Sequence, residues 1–306
     1  MALGSLPKQI KDCFVLVDWT MWKDGRQVLM AALAHSGRCL PLIAVAYQVK
    51  KILRSQNQAE HAFFLLLSLI KHPNQQITCI NDRGFARLSL LKQLKEYNLR
   101  FITRVCHNTY FASANYSGLL RDYEIKEGEL IDLEGGVLGK DKKNQQKVRL
   151  VVYRGRGHKA AWFIATDREE LSANEVASLY GRRMGIESGF RDTKGIRYGW
   201  GLKQIRMQSD VQLSVLWAAA MVAYAIRMGA GAAVLKKDEQ AQFNWTKKGP
   251  RRSLLSVGRN AVSSGLLKRE EIVKQLSKLA LRLEELKLVK EGKPAKGRAK
   301  AAGAKS

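Results

Sequence analysis

Apolar residues first recur along the chain in three short runs that are rich in β-branched and aromatic side chains. The runs lie at 13–22, 27–35 and 38–49, and each has the length of a strand. Ser36 and Gly37, between the second and third runs, form a turn signal. This stretch therefore predicts three consecutive strands that pair antiparallel.

The pattern then alternates between helix and strand. Residues 57–72 contain no internal Gly or Pro and end just before Pro73, which predicts a helix. A run at 76–85 predicts a fourth strand, the helical spacing over 86–97 predicts a second helix, and 100–105 predicts a fifth strand. The order βββαβαβ is typical of an α/β fold, a mixed sheet with helices on its faces.

A different pattern follows, in which strand-like segments are separated by polar turns. It covers 106–170 and predicts a β-rich insertion. Helical periodicity resumes over 172–195, where Ser172 is the predicted N-cap and Glu175, three residues later, completes a capping box. A further helix over 209–226 is apolar nearly all round, which predicts that it is buried.

The net charge of the protein indicates which class of partner it binds, and its composition is that of a globular protein. The 306 residues include 53 Lys+Arg and 27 Asp+Glu, a net charge of +26, and 46% of them are hydrophobic. Such an excess of positive charge indicates a polyanionic partner, nucleic acid before a membrane surface, because no basic amphipathic anchor stands out. The apolar run over 215–235 is interrupted by Arg227 and by glycines, so we expect no membrane span there.

The cysteines indicate a reducing compartment. They are scattered singly through apolar stretches without a CxxC pair, which is typical of reduced core thiols in a cytoplasmic protein. The first residues of the chain lack the apolar segment of a secretory signal. The four cysteines are Cys13, Cys39, Cys79 and Cys106.

Helical geometry places four polar side chains on one stripe of the helix predicted over 172–195. At roughly 100° per residue, Tyr180, Arg183, Glu187 and Lys194 fall within about 60° of one another. An apolar stripe runs directly beside them, whereas a solvated charged stripe normally lies opposite the apolar one. Two interpretations stay open on this geometry: a functional site, or a simple i,i+4 ion pair between Arg183 and Glu187 on the surface.

Two aspartates favour the first interpretation. Asp18 and Asp82 each end an apolar strand in the predicted pattern, and either one alone is explained as a turn or cap residue. Together with Glu187 they would supply three carboxylates at one sheet edge, which are hard oxygen ligands for Mg²⁺ or Mn²⁺. Two such ions about 4 Å apart activate a water and stabilise the leaving oxygen in phosphodiester cleavage.

These residues carry a resemblance to a known family. The spacing Tyr180-x2-Arg183-x3-Glu187-x6-Lys194 resembles the Tyr-Arg-Glu-Lys signature of the DDE transposases of bacterial insertion sequences, in the insertion-sequence-four family. "VDWT" around Asp18 and "NDRGF" around Asp82 resemble the two aspartate segments of that family, and the resemblance covers roughly residues 13–225. It implies a ribonuclease-H-like core with a β-rich insertion between the second aspartate and the glutamate.

The resemblance also implies roles for single residues. The catalytic, metal-binding residues would be Asp18, Asp82 and Glu187. The residues that hold phosphates of the transposon end would be Tyr180, Arg183 and Lys194.

Trp162 lies where some members of the family carry a tryptophan that stacks on a flipped base, although a strand tryptophan in the core of the insertion explains it equally well. The basic stretch at 154–159 beside it suits a DNA backbone or a solvated turn.

The resemblance divides the chain into four parts. Residues 1–105 and 171–235 would form the two parts of the catalytic core, 106–170 the insertion, and 236–306 a basic helical C-terminal region with a disordered tail. Only 17 residues precede Asp18, whereas the family usually carries a DNA-binding region there. We therefore expect a truncated copy whose end-recognition domain is missing, supplied by a partner, or replaced by the C-terminal region.

The implied activity is that of a DNA transposase, an endonuclease and polynucleotidyl transferase. It would use Mg²⁺ or Mn²⁺, two ions, to cleave transposon ends and to transfer the strands into target DNA. We expect a homodimer on DNA, no membrane, and a cytoplasmic location associated with the bacterial nucleoid. Two alternatives remain: a ribonuclease-H-like nuclease that cuts without joining, and a non-catalytic basic DNA-binding protein.

Overall fold

One large sheet dominates the described part of the protein. The computed structural model describes residues 11–35, 38–48, 56–196, 199–236, 245–246, 249–250, 253–265, 268 and 270–274. The strands of the sheet are β1 (Asp12–Met21), β2 (Arg26–His35), β3 (Arg38–Gln48), β4 (Gln76–Asn81), β5 (Arg100–Arg104), β6 (Tyr110–Ser113), β7 (Tyr116–Leu119), β8 (Leu130–Leu138), β9 (Gln146–Tyr153) and β10 (Trp162–Thr166). A separate pair is formed by β11 (Trp245–Thr246) and β12 (Gly249–Pro250).

Helices lie on both faces of this sheet, and the last helix packs against the one before it. They are α1 (Gln56–Leu69), α2 (Leu88–Glu96), α3 (Ala173–Gly181), α4 (Met184–Lys194), α5 (Asp210–Lys236) and α6 (Leu254–Ser263). Apolar residues of α1 and α2 pack on one face of the sheet, and those of α3, α4 and α5 pack on the other. This two-sided packing follows from strands that are buried on both faces.

The strand order is β3-β2-β1-β4-β5-β10-β9-β8-β6-β7. Strands β1, β2 and β3 are antiparallel, whereas β4 pairs parallel with both β1 and β5. The three predicted antiparallel strands and the predicted mixed sheet are confirmed, and the fold is a ribonuclease-H-like mixed α/β sheet with flanking helices.

Residues 106–170 are rich in strands, as predicted, and their strands continue the same sheet. Strand β10 pairs antiparallel with β5, and β9 pairs with β10. The insertion therefore extends the sheet beyond its fifth strand, and Trp162 at the start of β10 lies only one strand away from β5.

The prediction of one continuous helix over 172–195 is wrong. Ser172 and Glu175 form the predicted capping box, but α3 ends at Gly181 and α4 begins at Met184. Between them the backbone N–H groups of Arg182 and Arg183 bond to carbonyls three residues back, which is the tighter 3₁₀ pattern. Tyr180 therefore lies on a different helix from the other three residues of its predicted stripe.

Helix α5 is only half buried, so the prediction that it is buried is wrong in part. A stripe of apolar side chains on it is exposed: Val211, Val215, Val222 and Ile226. By length and composition Asp210–Val234 is able to cross a membrane, but half of its most apolar stretch is buried inside this fold.

The first strand also differs from its prediction, because it does not end at Asp18. Strand β1 continues to Met21, and Asp18 pairs with Met30 of β2 inside the ladder. The following residues, Trp19 and Thr20, are good strand formers that extend the pairing. The predicted turn at 36–37 and the predicted tail after 274 lie outside the described residues.

None of the four cysteines, all of which lie in the described part of the chain, is in a disulfide bond. Cys13, Cys39 and Cys79 are buried, as expected for core residues, whereas Cys106 is only partly buried.

Candidate active site

Asp18 lies on β1, in the central part of the sheet. Its side chain faces the side of the sheet that α4 covers. Its Oδ2 accepts a hydrogen bond from Nη1 of Arg183 at 3.2 Å, and its Oδ1 accepts one from the backbone N–H of Trp19 at 2.8 Å. The side chains of Asp18 and Arg183 are only 17% and 14% exposed. A carboxylate inside a strand is tolerated here because a cation from the covering helix pairs with it.

Asp82 directly follows β4, the parallel neighbour of β1. Val17 of β1 pairs with Asn81 of β4, and the residue that follows each of them is an aspartate. Asp82 caps a short 3₁₀ turn, and its Oδ1 accepts a hydrogen bond from the N–H of Gly84 at 2.5 Å. The cap interpretation of Asp82 is therefore correct, and the capping aspartate lies beside Asp18.

Glu187 lies in the first turn of α4, where it pairs with Arg183. The i,i+4 pair expected from the sequence is present, but it is not a simple surface pair. The same Arg183 guanidinium also contacts Asp18, so it bridges carboxylates from β1 and α4. Glu187 is 44% exposed and forms the open side of this cluster.

Lys194, at the end of α4, reaches the same strand as Asp18. Its Nζ donates a hydrogen bond to Oγ1 of Thr20 at 2.5 Å. Thr20 follows Asp18 by two residues and therefore lies on the same face of β1. Arg183 and Lys194 thus contact two successive inward positions of one strand, from the two ends of one helix.

Tyr180 and Trp162 form a second group beside the carboxylates. Their rings meet edge to face at 5.0 Å, and the ring of His158 lies 4.7 Å from that of Trp162. Burial raises the pKa of the Tyr180 hydroxyl, and the positive charges of Arg183 and Arg104 oppose that rise. Tyr180 is 4% exposed. Trp162 is half-buried, so part of its ring remains accessible.

The three carboxylates influence one another electrostatically. Burial is the largest cause that raises the pKa of Asp18 from 3.8 to about 6; Arg183 opposes it, and the Asp82 and Glu187 charges add to it. Burial would lower the pKa of Arg183, but Tyr180, Asp18 and Glu187 outweigh burial and hold that pKa above its usual value. Burial lowers the pKa of Lys194.

A basic cavity is lined in part by Arg83, the residue that follows Asp82. Its volume is about 770 Å³, and apolar residues such as Phe163 line part of it. The cationic residues at this cavity are Arg83, Arg104, Arg121, Lys126 and Arg154, and the anionic ones are Glu124 and Glu129. Arg154 belongs to the basic stretch that the sequence singled out, whereas Arg104 and Arg121 carried no recognisable sequence signal.

Helix α4 lies unusually close to β3, and two glycines make this possible. A Cβ atom at Gly185 would lie 2.5 Å from the backbone oxygen of Arg38, and one at Gly189 would lie 2.6 Å from Sγ of Cys39. Their i,i+4 spacing places both on the sheet-facing side of the helix. Sequence reasoning missed this contact, which sets how deeply Arg183 and Glu187 sit above β1.

The three carboxylates are suitable ligands for a divalent metal, but in this structure they do not lie close enough together to surround one. Within the described residues no three acidic, histidine or cysteine side chains lie close enough together to hold an ion. The Arg183 guanidinium is the cation between Asp18 and Glu187, and the negative charges of Asp82 and Glu187 near Asp18 favour a cation among the carboxylates. The chemistry of their side chains makes Asp18, Asp82 and Glu187 the candidate ligands for a metal.

The mixed sheet with its flanking helices is the fold of ribonuclease-H-like DNA-processing enzymes. The chain belongs to the transposase DDE domain family, which matches residues 10–225. It is therefore a transposase, in the enzyme class of polynucleotidyl transferases and nucleases, with DNA as its partner. Domains of this family generally use divalent metal ions. Among curated proteins no relative matches this chain.

Proposed function

We propose that this transposase cleaves DNA at transposon ends, releases 3′-OH groups and transfers them into target DNA, as a member of the insertion-sequence-four group. The observation that carries the proposal is the bridge from Asp18 through Arg183 to Glu187, with Asp82 at the end of the adjacent parallel strand. Cleavage and joining are both in-line displacements at phosphorus, so one site serves both.

In this proposal Asp18, Asp82 and Glu187 hold Mg²⁺ or Mn²⁺, as two ions. The bound metal supplies an activated water and stabilises the leaving oxygen. The buried position of Asp18 on a rigid strand fixes one ligand, while the exposed Glu187 is the ligand that is able to move. Arg183 would turn from the carboxylates toward a phosphate of the bound DNA strand, which a guanidinium binds with two parallel hydrogen bonds.

The remaining predicted residues would position the DNA. Lys194 contacts Thr20, and Tyr180 packs against Trp162. Both carry donors suited to phosphate oxygens. Trp162 would stack on a flipped base through the accessible part of its ring. The basic cavity beside Asp82 supports a DNA strand that runs on past the carboxylates, because its five cations outnumber its two acidic residues.

The homodimer on DNA and the cytoplasmic, nucleoid-associated location are parts of the same proposal. In a dimer, each subunit can bind one end of the transposon, so that a single complex holds both ends. The mass of the protein–DNA complex, measured by light scattering with DNA of one and of two ends, tests this part.

Single substitutions test the chemistry. Asp18→Ala, Asp82→Ala and Glu187→Ala are each expected to abolish Mg²⁺-dependent cleavage of DNA that carries the sequences flanking the gene, while DNA binding stays nearly intact. Neutralising a carboxylate removes a metal ligand and no phosphate contact. A variant that still cleaves at the wild-type rate would exclude that residue from the site.

The products distinguish the rival functions. Strand joining to a target plasmid in the presence of Mg²⁺ is expected from a transposase. Metal-dependent nicking without joining would identify a nuclease with the same core, and DNA binding without nicking would identify a non-catalytic protein.

A further inference from the structure

Glu60 is a buried acidic residue that sequence patterns did not single out. It lies on α1, on the sheet face opposite to Arg183, and is 0% exposed. A carboxylate without solvent requires partners, and Glu60 has three side-chain donors around it. Two of these donors belong to the segments that carry the two aspartates of the candidate active site.

The first contact leads to Asp18. Oε1 of Glu60 accepts a hydrogen bond from Nε1 of Trp19 at 2.8 Å. Trp19 directly follows Asp18 in β1, and its backbone N–H bonds to the Asp18 carboxylate. Successive strand residues point to opposite faces, so Glu60 holds β1 from behind at the residue next to Asp18.

The second contact leads to Asp82. The other oxygen of Glu60 is paired with Nη2 of Arg87. Nη1 of the same guanidinium donates to the carbonyl oxygen of Gly84 at 3.1 Å, and the N–H of Gly84 bonds to the Asp82 carboxylate. Arg87 therefore holds in place the 3₁₀ turn that Asp82 caps.

We propose that Glu60 is a positioning residue that sets the relative placement of Asp18 and Asp82 for metal binding. This inference rests on the proposed function, because it assumes that these aspartates bind the metal. The two carboxylates repel one another, since Asp18 lies on β1 and Asp82 directly follows the neighbouring strand β4. One buried carboxylate that holds both segments prevents them from separating before the metal arrives.

The two contacts of Glu60 are separable by substitution. In Glu60→Gln the amide oxygen still accepts from Trp19, but the amide NH₂ meets the donors of Arg87, so the contact toward Asp82 is lost. Trp19→Phe keeps an aromatic ring against Tyr47 and removes the indole N–H, so the contact toward Asp18 is lost. Arg87→Lys keeps the positive charge, but a lysine ammonium lacks the planar pair of NH₂ groups with which the guanidinium bridges Glu60 and Gly84.

Two control substitutions match these variants. Gln56→Ala removes the third donor to Glu60, which bonds to Oε1 at 3.1 Å and contacts neither aspartate segment. Asp132→Asn breaks a comparable ion pair, with the buried Arg149, in the insertion.

The experiment measures Mn²⁺ binding to the full chain on DNA, by electron paramagnetic resonance of the free ion, together with thermal unfolding. Glu60→Gln, Trp19→Phe and Arg87→Lys are each expected to weaken Mn²⁺ binding about 10- to 100-fold, the usual effect of removing an outer partner of a metal ligand. Their DNA affinity should remain unchanged. Gln56→Ala and Asp132→Asn should keep the wild-type Mn²⁺ affinity.

Three outcomes separate the possibilities. Wild-type Mn²⁺ affinity in both Trp19→Phe and Arg87→Lys would overturn the proposal, even if Glu60→Gln failed to fold. Equal weakening in Asp132→Asn at an equal loss of melting temperature would also overturn it, because general destabilisation would then be the cause. Wild-type Mn²⁺ affinity in Asp82→Asn would instead reject the proposed metal site itself.

Discussion

Arg183 contacts Asp18 on β1 and Glu187 on its own helix at the same time. The guanidinium is 14% exposed, so the contact lies inside the interface between α4 and the sheet. In this arrangement an internal cation balances two of the three carboxylates. Arg183 and a divalent metal would then compete for the same negative charge.

Removal of this cation should reveal the competition. Arg183→Gln is expected to lower the free energy of unfolding of the metal-free protein by about 1–3 kcal/mol, between the values for exposed and buried pairs. Mg²⁺ should raise the melting temperature of the variant more than that of the wild type, because the metal replaces the missing cation. Arg182→Gln is the control, since Arg182 has no ion pair in the described part of the chain. An equal effect of Mg²⁺ on all three proteins would contradict the competition.

The raised pKa of Asp18 predicts how stability depends on pH. Its pKa is about 6 in the folded metal-free protein, against 3.8 for an ordinary aspartate, so the folded state binds the proton more tightly. The resulting stabilisation is fully present below about pH 4 and is lost as pH rises through about 6. It amounts to at most about 3 kcal/mol. Urea unfolding of the wild type and of Asp18→Asn from pH 4 to 8 should show this loss in the wild type alone.

Metal affinity should follow the opposite trend. A carboxylate must be ionised to bind Mg²⁺, so affinity is expected to fall as pH decreases through about 6. Calorimetric titration of Mg²⁺ between pH 5 and 8 measures this. Affinity that stays constant down to pH 5 would show that Asp18 is not a ligand.

Lys194 and Arg183 should affect the reaction more than DNA binding. The chain has 53 Lys+Arg, so one cation fewer barely changes the long-range attraction. A phosphate misplaced by about 1 Å can reduce the rate on the order of a hundredfold. Lys194→Ala and Arg183→Ala should therefore be slow in single-turnover cleavage at saturating protein, whereas Lys143→Ala, an exposed lysine of the insertion, should not. Normal cleavage by both variants once DNA is fully bound would reduce this stripe to a structural role.

The close packing of α4 on β3 predicts a steric effect of one methyl group. Gly185→Ala places a Cβ atom 2.5 Å from the Arg38 backbone oxygen, and we expect a loss of about 1–3 kcal/mol in the free energy of unfolding. Gly181→Ala is the matched control, because nothing lies within 4 Å of its Cβ position. Chemical denaturation of both variants tests this; equal stabilities would contradict the tight contact.

Local patterns in the sequence were sufficient for the order of strands and helices. Alternation and helical spacing report the backbone conformation and the apolar side of each segment, and the capping box at Ser172 and Glu175 acts within one turn. The Tyr-Arg-Glu-Lys spacing pointed to Arg183, Glu187 and Lys194, whose side chains meet β1 or one another in the folded chain. Their assigned roles stay predictions.

Only the tertiary structure decided which of these groups meet. Arg183 and Asp18 are 165 residues apart in the chain, and their contact depends on the packing of α4 against β1. The break before Met184 also escaped the sequence pattern, because periodicity continues through a short 3₁₀ turn. Glu60 gave no signal in an apolar helix, since a buried carboxylate is explained only by the donors that other segments bring to it. Local conformation is encoded over a few residues, whereas the partners of a charge depend on how distant segments pack.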